Sequence, residues 1–118
     1  MGSWESYMTD DPKGTFASVM DADIYTEGDD ITLVLYWKKR MYEGSGEVID
    51  MAADPPTVLK GKLTDDLTKI RLDSDRWYAV IGMFFAENGR QYGSASYHLK
   101  KSGGESENLY TIAFTREI

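Results

Sequence analysis

The chain alternates between short runs rich in β-branched and aromatic residues and short turn-rich segments. No window holds the period of an amphipathic helix, whereas many runs alternate apolar and polar residues as a half-buried strand does. Eight strands are therefore predicted, at Thr15–Thr26, Ile31–Met41, Glu47–Met51, Thr57–Leu63, Thr68–Asp73, Trp77–Ala86, Gln91–Lys100 and Leu109–Arg116. A further strand is predicted at Trp4–Met8. Because the connections are too short for crossover helices, the pattern favours an all-β, antiparallel meander of about eight strands.

The first of two hairpins is predicted around Gly28 and Asp29. A glycine at the first central position of a two-residue turn suits the type II′ geometry, which fixes the register of the flanking strands. That register sets six apolar residues in facing pairs on a predicted core face: Ile24 with Leu33, Ala22 with Leu35, and Met20 with Trp37. On the opposite, solvent-facing side Asp21 lies diagonal to Lys38, and we expect a charge contact worth roughly 0.2–1 kcal/mol.

The second hairpin is predicted around Asn88 and Gly89, a dipeptide that favours a type I′ turn. One predicted face is apolar throughout and is expected to join the core: Phe84 with Gly93, Gly82 with Ala95, Val80 with Tyr97, and Tyr78 with Leu99. The opposite face sets apolar groups beside hydroxyls and an imidazole: Phe85 with Tyr92, Met83 with Ser94, Ile81 with Ser96, and Ala79 with His98. A one-residue bulge would exchange the faces of one strand.

This mixed face is the predicted ligand site, because a cavity wall combines apolar surface with a few polar groups. The site consists of an apolar wall of three residues followed by three polar anchors: Ile81, Met83, Phe85, Tyr92, Ser96 and His98. If the face points outward instead, the same residues would form a contact surface for a protein partner or for a second copy of the chain.

Composition and charge narrow the function. The 118 residues fit one domain, and a hydrophobic fraction of 42% argues against disorder. No apolar run approaches the roughly 18 to 20 residues that cross a bilayer, so we expect a soluble chain without a membrane span. The first ten residues, MGSWESYMTD, lack the basic and then apolar order of a secretory signal, so none is expected. The net charge of −7 would repel phosphate backbones, so nucleic acid is not an expected partner.

The candidate chemistry is sparse. The chain has no cysteine, which excludes disulfides and thiolate metal sites. Asp21 and Asp23 begin like a calcium loop, but Tyr25 and Thr26 stand where a third oxygen ligand and a glycine belong. The single histidine, His98, lies about 6–7 Å along the strand from the serine two positions before it, too far for a direct hydrogen bond. We therefore expect no enzymatic activity, no metal and no cofactor.

The two ends of the chain carry a resemblance to a known family. Gly2-Ser3-Trp4 resembles the Gly-x-Trp that opens the first strand in the calycin superfamily, which includes lipocalins, fatty-acid-binding proteins and avidins. In those families a basic residue of the last strand packs over that tryptophan, and Arg116 stands in the matching place. The resemblance implies one up-and-down β-barrel domain over residues 1–118, closed or partly open, with Trp4 and Arg116 as barrel-closing residues.

Together these observations predict a non-enzymatic protein that holds a small apolar or amphipathic molecule in a β-barrel cavity. The alternative is an acidic inhibitor or immunity-type protein that binds a basic protein through an exposed sheet face. Either function is compatible with a homo-oligomer.

Overall fold

All regular structure in the described part of the chain is β-strand. The computed structural model describes residues 2–10, 13–63, 70–101, 104–105 and 110–117, without the side chains of Met83, Lys101 and Glu105. Its ten strands are β1 (Gly2–Thr9), β2 (Phe16–Glu27), β3 (Asp30–Tyr42), β4 (Val48–Asp50), β5 (Thr57–Lys62), β6 (Ile70–Asp73), β7 (Trp77–Glu87), β8 (Arg90–Lys101), β9 (Gly104–Glu105) and β10 (Tyr110–Glu117). Thr68 and Leu109, where two predicted strands begin, lie outside the described residues.

Eight of these strands form a closed antiparallel up-and-down barrel in the order β1-β2-β3-β5-β6-β7-β8-β10, and β10 pairs with β1 to close it. The prediction of an all-β antiparallel meander is confirmed. The identity of the eight strands differs from the prediction in one respect. The run Glu47–Met51 forms only the short β4, which pairs with residues 39–41 of β3 and is not a barrel strand. The strand predicted at Trp4–Met8 is β1 and completes the eight strands of the barrel.

The first hairpin has the predicted register. Gly28 has a positive φ of 59°, as the first central residue of a type II′ turn requires, and the pairs on the core face are those predicted: Ile24 with Leu33, Ala22 with Leu35, and Met20 with Trp37. A bulge follows, so that Val19 pairs with Lys39 instead of Lys38. Lys38 Nζ lies 3.3 Å from an Asp21 carboxylate oxygen, so the expected charge contact is present.

The second hairpin corrects the prediction beyond its tip. Asn88 and Gly89 both have positive φ, 52° and 78°, as a type I′ turn requires, and Phe85 pairs with Tyr92 as predicted. The register then shifts by one residue between Ile81 and Met83. Gly82 is the extra residue of this bulge.

From Ile81 toward Trp77, on the side of the bulge away from the turn, the two faces of β7 are exchanged relative to the prediction. Ile81 pairs with Ala95 instead of Ser96, and His98 pairs with Tyr78 instead of Ala79. The prediction that Ile81 shares one face with Ser96 and His98 is therefore wrong, because Ile81 turns into the barrel while the other two residues face outward.

Side chains fill the middle of the barrel. The inward-facing residues of the barrel strands make one hydrophobic cluster, and several have no exposed surface: Leu33, Leu35, Leu59, Leu72, Ala79, Ile81 and Ile112. Interiors of this kind are close-packed, so the space for a ligand inside the barrel lies at its two ends. The end that carries the Gly28 and Asn88 turns is called the lower end below, and the opposite one the upper end.

Asp10 anchors the connection from β1 to β2. Its carboxylate accepts hydrogen bonds from the backbone amides of Thr15 and Phe16, at 2.6 and 3.1 Å, and from the Thr15 hydroxyl. Burial alone would raise the pKa of Asp10, but these hydrogen bonds hold the pKa below its ordinary value of 3.8. A carboxyl group whose pKa is lower in the folded than in the unfolded chain stabilises the fold above its unfolded pKa, and this contribution disappears as the pH falls through the folded pKa.

We therefore expect the free energy of unfolding of Asp10→Asn to decrease less than that of the original protein as the pH is lowered. The variant loses the carboxylate contribution at neutral pH and should differ little from the original protein once Asp10 is protonated. Urea unfolding between about pH 2 and pH 7 measures the difference. The same variant effect at both ends of that range would contradict the assignment.

Candidate functional site

An open hollow of about 380 Å³ lies at the lower end of the barrel, inside its rim. We call it the lower hollow. Its lining is mostly apolar, with two polar side chains at one side: Trp4, Ile24, Phe84, Phe85, Ala86, Gln91 and Arg116. Concave, largely apolar space with few polar groups is typical of small-molecule sites.

Two adjacent phenylalanines at the tip of the second hairpin form one wall of the lower hollow. Phe84 and Phe85 are 45% and 48% exposed. The Phe84 ring lies 5.6 Å from the Trp4 ring, centroid to centroid, and the Phe85 ring stacks on Tyr92 at 5.2 Å. Because side chains alternate along the strand, Phe84 points into the barrel and Phe85 points outward. The two rings therefore lie on either side of the barrel rim. Neither side chain is covered by the core.

Trp4 lies between the hollow and the core. Its side chain is 5% exposed, and its ring also contacts Phe114 with 6.3 Å between centroids. Among the described residues the indole Nε1 finds no hydrogen-bond partner although it is buried. The residue therefore contributes chiefly apolar surface to the site.

Arg116, on β10, supplies the positive charge of the lower hollow. Its guanidinium carbon lies 4.3 Å from the centroid of the Trp4 ring, within the roughly 6 Å range of a cation–π contact. Its Nε donates a hydrogen bond to Gln91 Oε1 at 2.5 Å. The contact between Trp4 and Arg116 that the calycin resemblance implies is thus part of this site.

Arg116 is one of two half-buried cations in the described part of the chain that have no carboxylate partner. Four arginine and lysine side chains in the described part of the chain are half-buried, namely Arg40, Arg90, Lys100 and Arg116. Arg90 and Lys100 pair with carboxylates at 3.0–3.5 Å. Arg40 and Arg116 lie over aromatic rings instead, and within the described ranges neither has a carboxylate oxygen within 4.0 Å.

A smaller pocket of about 170 Å³ lies at the upper end. Its lining is dominated by aromatic rings: Met8, Trp37, Arg40, Thr57, Trp77, Tyr97 and Tyr110. Trp77 stacks on Tyr97 with 4.7 Å between centroids, and burial raises the pKa of the Tyr97 phenol well above its ordinary value. These rings cover one another and leave less than half the volume of the lower hollow, which makes the lower hollow the stronger candidate.

The structure disperses the predicted ligand site. Ile81 is fully buried in the core, Ser96 and His98 are half-buried on the outer face of β8, and the side chain of Met83 lies outside the described residues. Only Phe85 and Tyr92 are brought together, in the ring stack at the hairpin tip. Of the five predicted residues whose side chains are described, Phe85 alone lines the lower hollow.

His98 belongs to a stack of rings on the outside of the barrel. Its imidazole lies nearly parallel to the Tyr78 ring with 4.6 Å between the ring centroids, and the Arg71 guanidinium carbon lies 4.0 Å from the centroid of the same Tyr78 ring. This stack covers Tyr78, which is buried although it faces outward. The placement gives His98 a packing role in the barrel wall.

Sequence reasoning named Trp4 and Arg116 only as residues that close the barrel. It assigned Phe84 to the core and did not select Ala86 or Gln91 for the site. The sequence contains one signal for the site: Phe84 and Phe85 stand four and three residues before Asn88 of the turn, where solvent normally favours polar side chains.

No protein-family model, no curated protein and no solved structure matches the chain. In the ranges described above, no group of three histidine or acidic side chains is arranged to hold a metal ion. No helix long and apolar enough to cross a membrane occurs in those ranges. The interpretation of the lower hollow therefore rests on its geometry and chemistry.

Proposed function

We propose that this chain is a non-enzymatic binding protein that holds a small apolar or amphipathic molecule in the lower hollow of a calycin-like barrel. The observation that carries the proposal is the half-exposed pair Phe84 and Phe85 beside a concave space of about 380 Å³. This volume is within the range of roughly 300–1,000 Å³ in which small-molecule pockets fall.

The proposed ligand would pack its apolar part against the Phe84 and Phe85 rings, with Trp4 beneath it. Covering these rings removes apolar surface from water, which contributes about 25 cal/mol per Å² before the cost of immobilising the ligand is subtracted. Gln91 and Arg116 lie at one side of the lining, where they would orient a polar end. The calycin resemblance supports the proposal, because a closed eight-stranded barrel with Arg116 over Trp4 is the arrangement that it implies.

Ala86→Trp tests the site directly. Ala86 is exposed and lines the lower hollow, so an indole there fills the space without entering the core. We expect the affinity for the neutral fluorescent probe N-phenyl-1-naphthylamine to fall at least about tenfold, with little change in melting temperature. Fluorescence titration and a thermal melt measure the two quantities.

Ala113→Trp is the matched control, because Ala113 is an exposed alanine on the outer face of β10, away from the hollow. It should leave the affinity unchanged. If the original protein does not bind the probe, or if the two tryptophan variants bind it equally, the proposed site is wrong.

A second candidate is the acidic partner-binding protein, and one observation favours it. Tyr7, Tyr25 and Tyr36 are 40–50% exposed on the outer face of β1, β2 and β3, beside Asp21 and Asp23. Exposed tyrosines are enriched in protein interfaces, and the carboxylates suit a basic partner. A rise in melting temperature with a basic protein but with no apolar probe would favour this candidate.

A further inference from the structure

The short strand β4 has one edge that no strand covers in the described part of the chain. It pairs with β3, and no other described strand pairs with it. Two backbone hydrogen bonds flank this pairing, from Tyr42 N to Glu47 O at 2.9 Å and from Met51 N to Lys38 O at 2.7 Å. Hydrogen-bonded positions alternate along an antiparallel pair, so Ile49 also turns its N–H and C=O groups toward β3.

The two residues beside Ile49 have the opposite orientation. The alternation turns the N–H and C=O groups of Val48 and Asp50 away from β3, and these groups have no backbone partner among the described residues. Donors and acceptors in this arrangement are the groups to which a further strand adds. The free edge of β4 is therefore suited to an extended segment of polypeptide.

The side chains of β4 add apolar surface to this edge. Val48 is 56% exposed and Ile49 is 39% exposed. Met41, directly opposite Val48 on β3, is 41% exposed, so the apolar surface continues across both strands. Sheet edges are commonly protected from pairing by a lysine or a proline, and β4 contains neither.

Unpaired carboxylates surround the same edge. Glu43, Glu47, Asp50 and Asp54 are all exposed, and within the described ranges none has a lysine or arginine nitrogen within 4.0 Å. Lys39, which lies opposite Asp50 on β3, offsets part of this charge. The edge thus combines free backbone groups and apolar side chains with an excess of negative charge, and positive charge on the added segment would complement it.

We propose that β4 binds an extended, basic segment of another protein, which adds to its free edge as a further strand. Apolar residues of this segment pack beside Val48 and Ile49, and its lysine or arginine residues meet the surrounding carboxylates. A second copy of the chain fits this edge less well, because it would bring the same carboxylates together on two chains that each have a net charge of −7. The site lies at the upper end of the barrel, so the proposal does not depend on the lower hollow.

A capped peptide in which lysine and valine alternate is the probe. NMR titration of the full chain at low ionic strength gives both its affinity and the residues that it contacts. We expect the largest changes in amide shift at Val48 and Asp50, and an affinity at least about tenfold higher than that of the peptide with glutamate in place of lysine. Added salt should weaken binding of the lysine peptide, because it screens the charges.

A third peptide separates strand addition from simple charge attraction. It is the lysine peptide with every backbone nitrogen methylated, which keeps the charges and side chains but donates no backbone hydrogen bond. We expect it to bind at least about tenfold more weakly than the unmodified lysine peptide.

Val48→Pro removes the N–H group that points away from β3, and proline is tolerated at such edge positions. It should lower the affinity for the lysine peptide at least about tenfold, with little change in melting temperature. The double variant Glu47→Gln/Asp54→Asn should lower this affinity as well. Glu27→Gln/Asp29→Asn is the matched control, because it neutralises two exposed carboxylates beside the Gly28 turn, at the lower end of the barrel, and should leave the affinity unchanged.

The proposal is wrong if the lysine and glutamate peptides bind equally, or if the methylated peptide binds as tightly as the unmodified one. Amide shifts centred on the exposed tyrosines of β1, β2 and β3 would also contradict it. Sedimentation of the original protein without peptide tests the other occupant: a dimer that Val48→Pro dissociates would identify a second copy as the partner of β4 and overturn the proposal. The peptide comparisons use the original protein, so they decide the proposal even if Val48→Pro does not fold.

Discussion

Replacement of Trp4 with alanine should lower the free energy of unfolding by about 3–5 kcal/mol. The indole is 5% exposed and packs on Phe84 and Phe114, and Arg116 lies over its ring. Alanine would leave a cavity between the lower end of the core and the lower hollow, and the neighbouring strands could close it only in part. Chemical denaturation followed by far-UV circular dichroism measures the loss without relying on the tryptophan signal that the substitution removes.

Trp4→Phe and Arg116→Met separate the parts of this effect. Phenylalanine keeps most of the buried ring and removes the indole Nε1, which has no partner among the described residues, so its cost should be much smaller than that of alanine. Arg116→Met removes the cation–π contact together with the hydrogen bond to Gln91, and should cost about 1–2 kcal/mol. A loss below about 1 kcal/mol for Trp4→Ala would show that the indole is not part of the core.

The first hairpin shows what the sequence pattern can determine. Gly28 selects the turn, and most apolar residues of β2 and β3 lie on one face, with Val34 an exception on β3, so that a slip by one residue would expose the main apolar row. The predicted pairs from Ile24 to Met20 are therefore the observed ones. The bulge at Val19 comes after them and leaves them unchanged.

The second hairpin shows where that reasoning stops. β7 carries apolar residues on both faces, so neither face identifies itself as the core face and the pattern does not penalise a shift of register. The hydrophobic pattern therefore does not predict the bulge at Gly82. The bulge moves Ile81 from the predicted ligand wall to the core. The tip retains the predicted pairing, and among the described side chains of the predicted ligand wall and anchors Phe85 is the one that lines the lower hollow.

The lower hollow also depends on barrel closure between distant parts of the chain. Trp4 is on β1 and Arg116 on β10, and their contact follows from the pairing of those two strands. The family resemblance indicated this pair. The half-burial of Arg116 and its lack of a carboxylate partner among the described residues depend on side-chain positions, so periodicity and composition contain no signal for them.

A close approach between β5 and β6 gives the second large effect. Among the described residues, Lys60 pairs with Asp73 and Gly61 pairs with Leu72. A Cβ atom on Gly61 would lie 2.1 Å from the backbone carbonyl oxygen of Arg71, a distance that no side-chain rearrangement relieves. Gly61→Ala must therefore push β5 and β6 apart, and we expect a loss of at least about 3 kcal/mol, the upper end of overpacking costs.

Gly82→Ala is the matched control for this prediction. Gly82 is also a strand glycine, but a Cβ atom there meets no heavy atom within 4 Å, and its φ is not in the left-handed region. Its replacement should change the free energy of unfolding by no more than about 0.5–1 kcal/mol. Urea unfolding of the two variants side by side measures the difference. If the two variants had equal free energies of unfolding, β5 and β6 would not approach each other at Gly61 as closely as described, and the barrel would be open between these two strands.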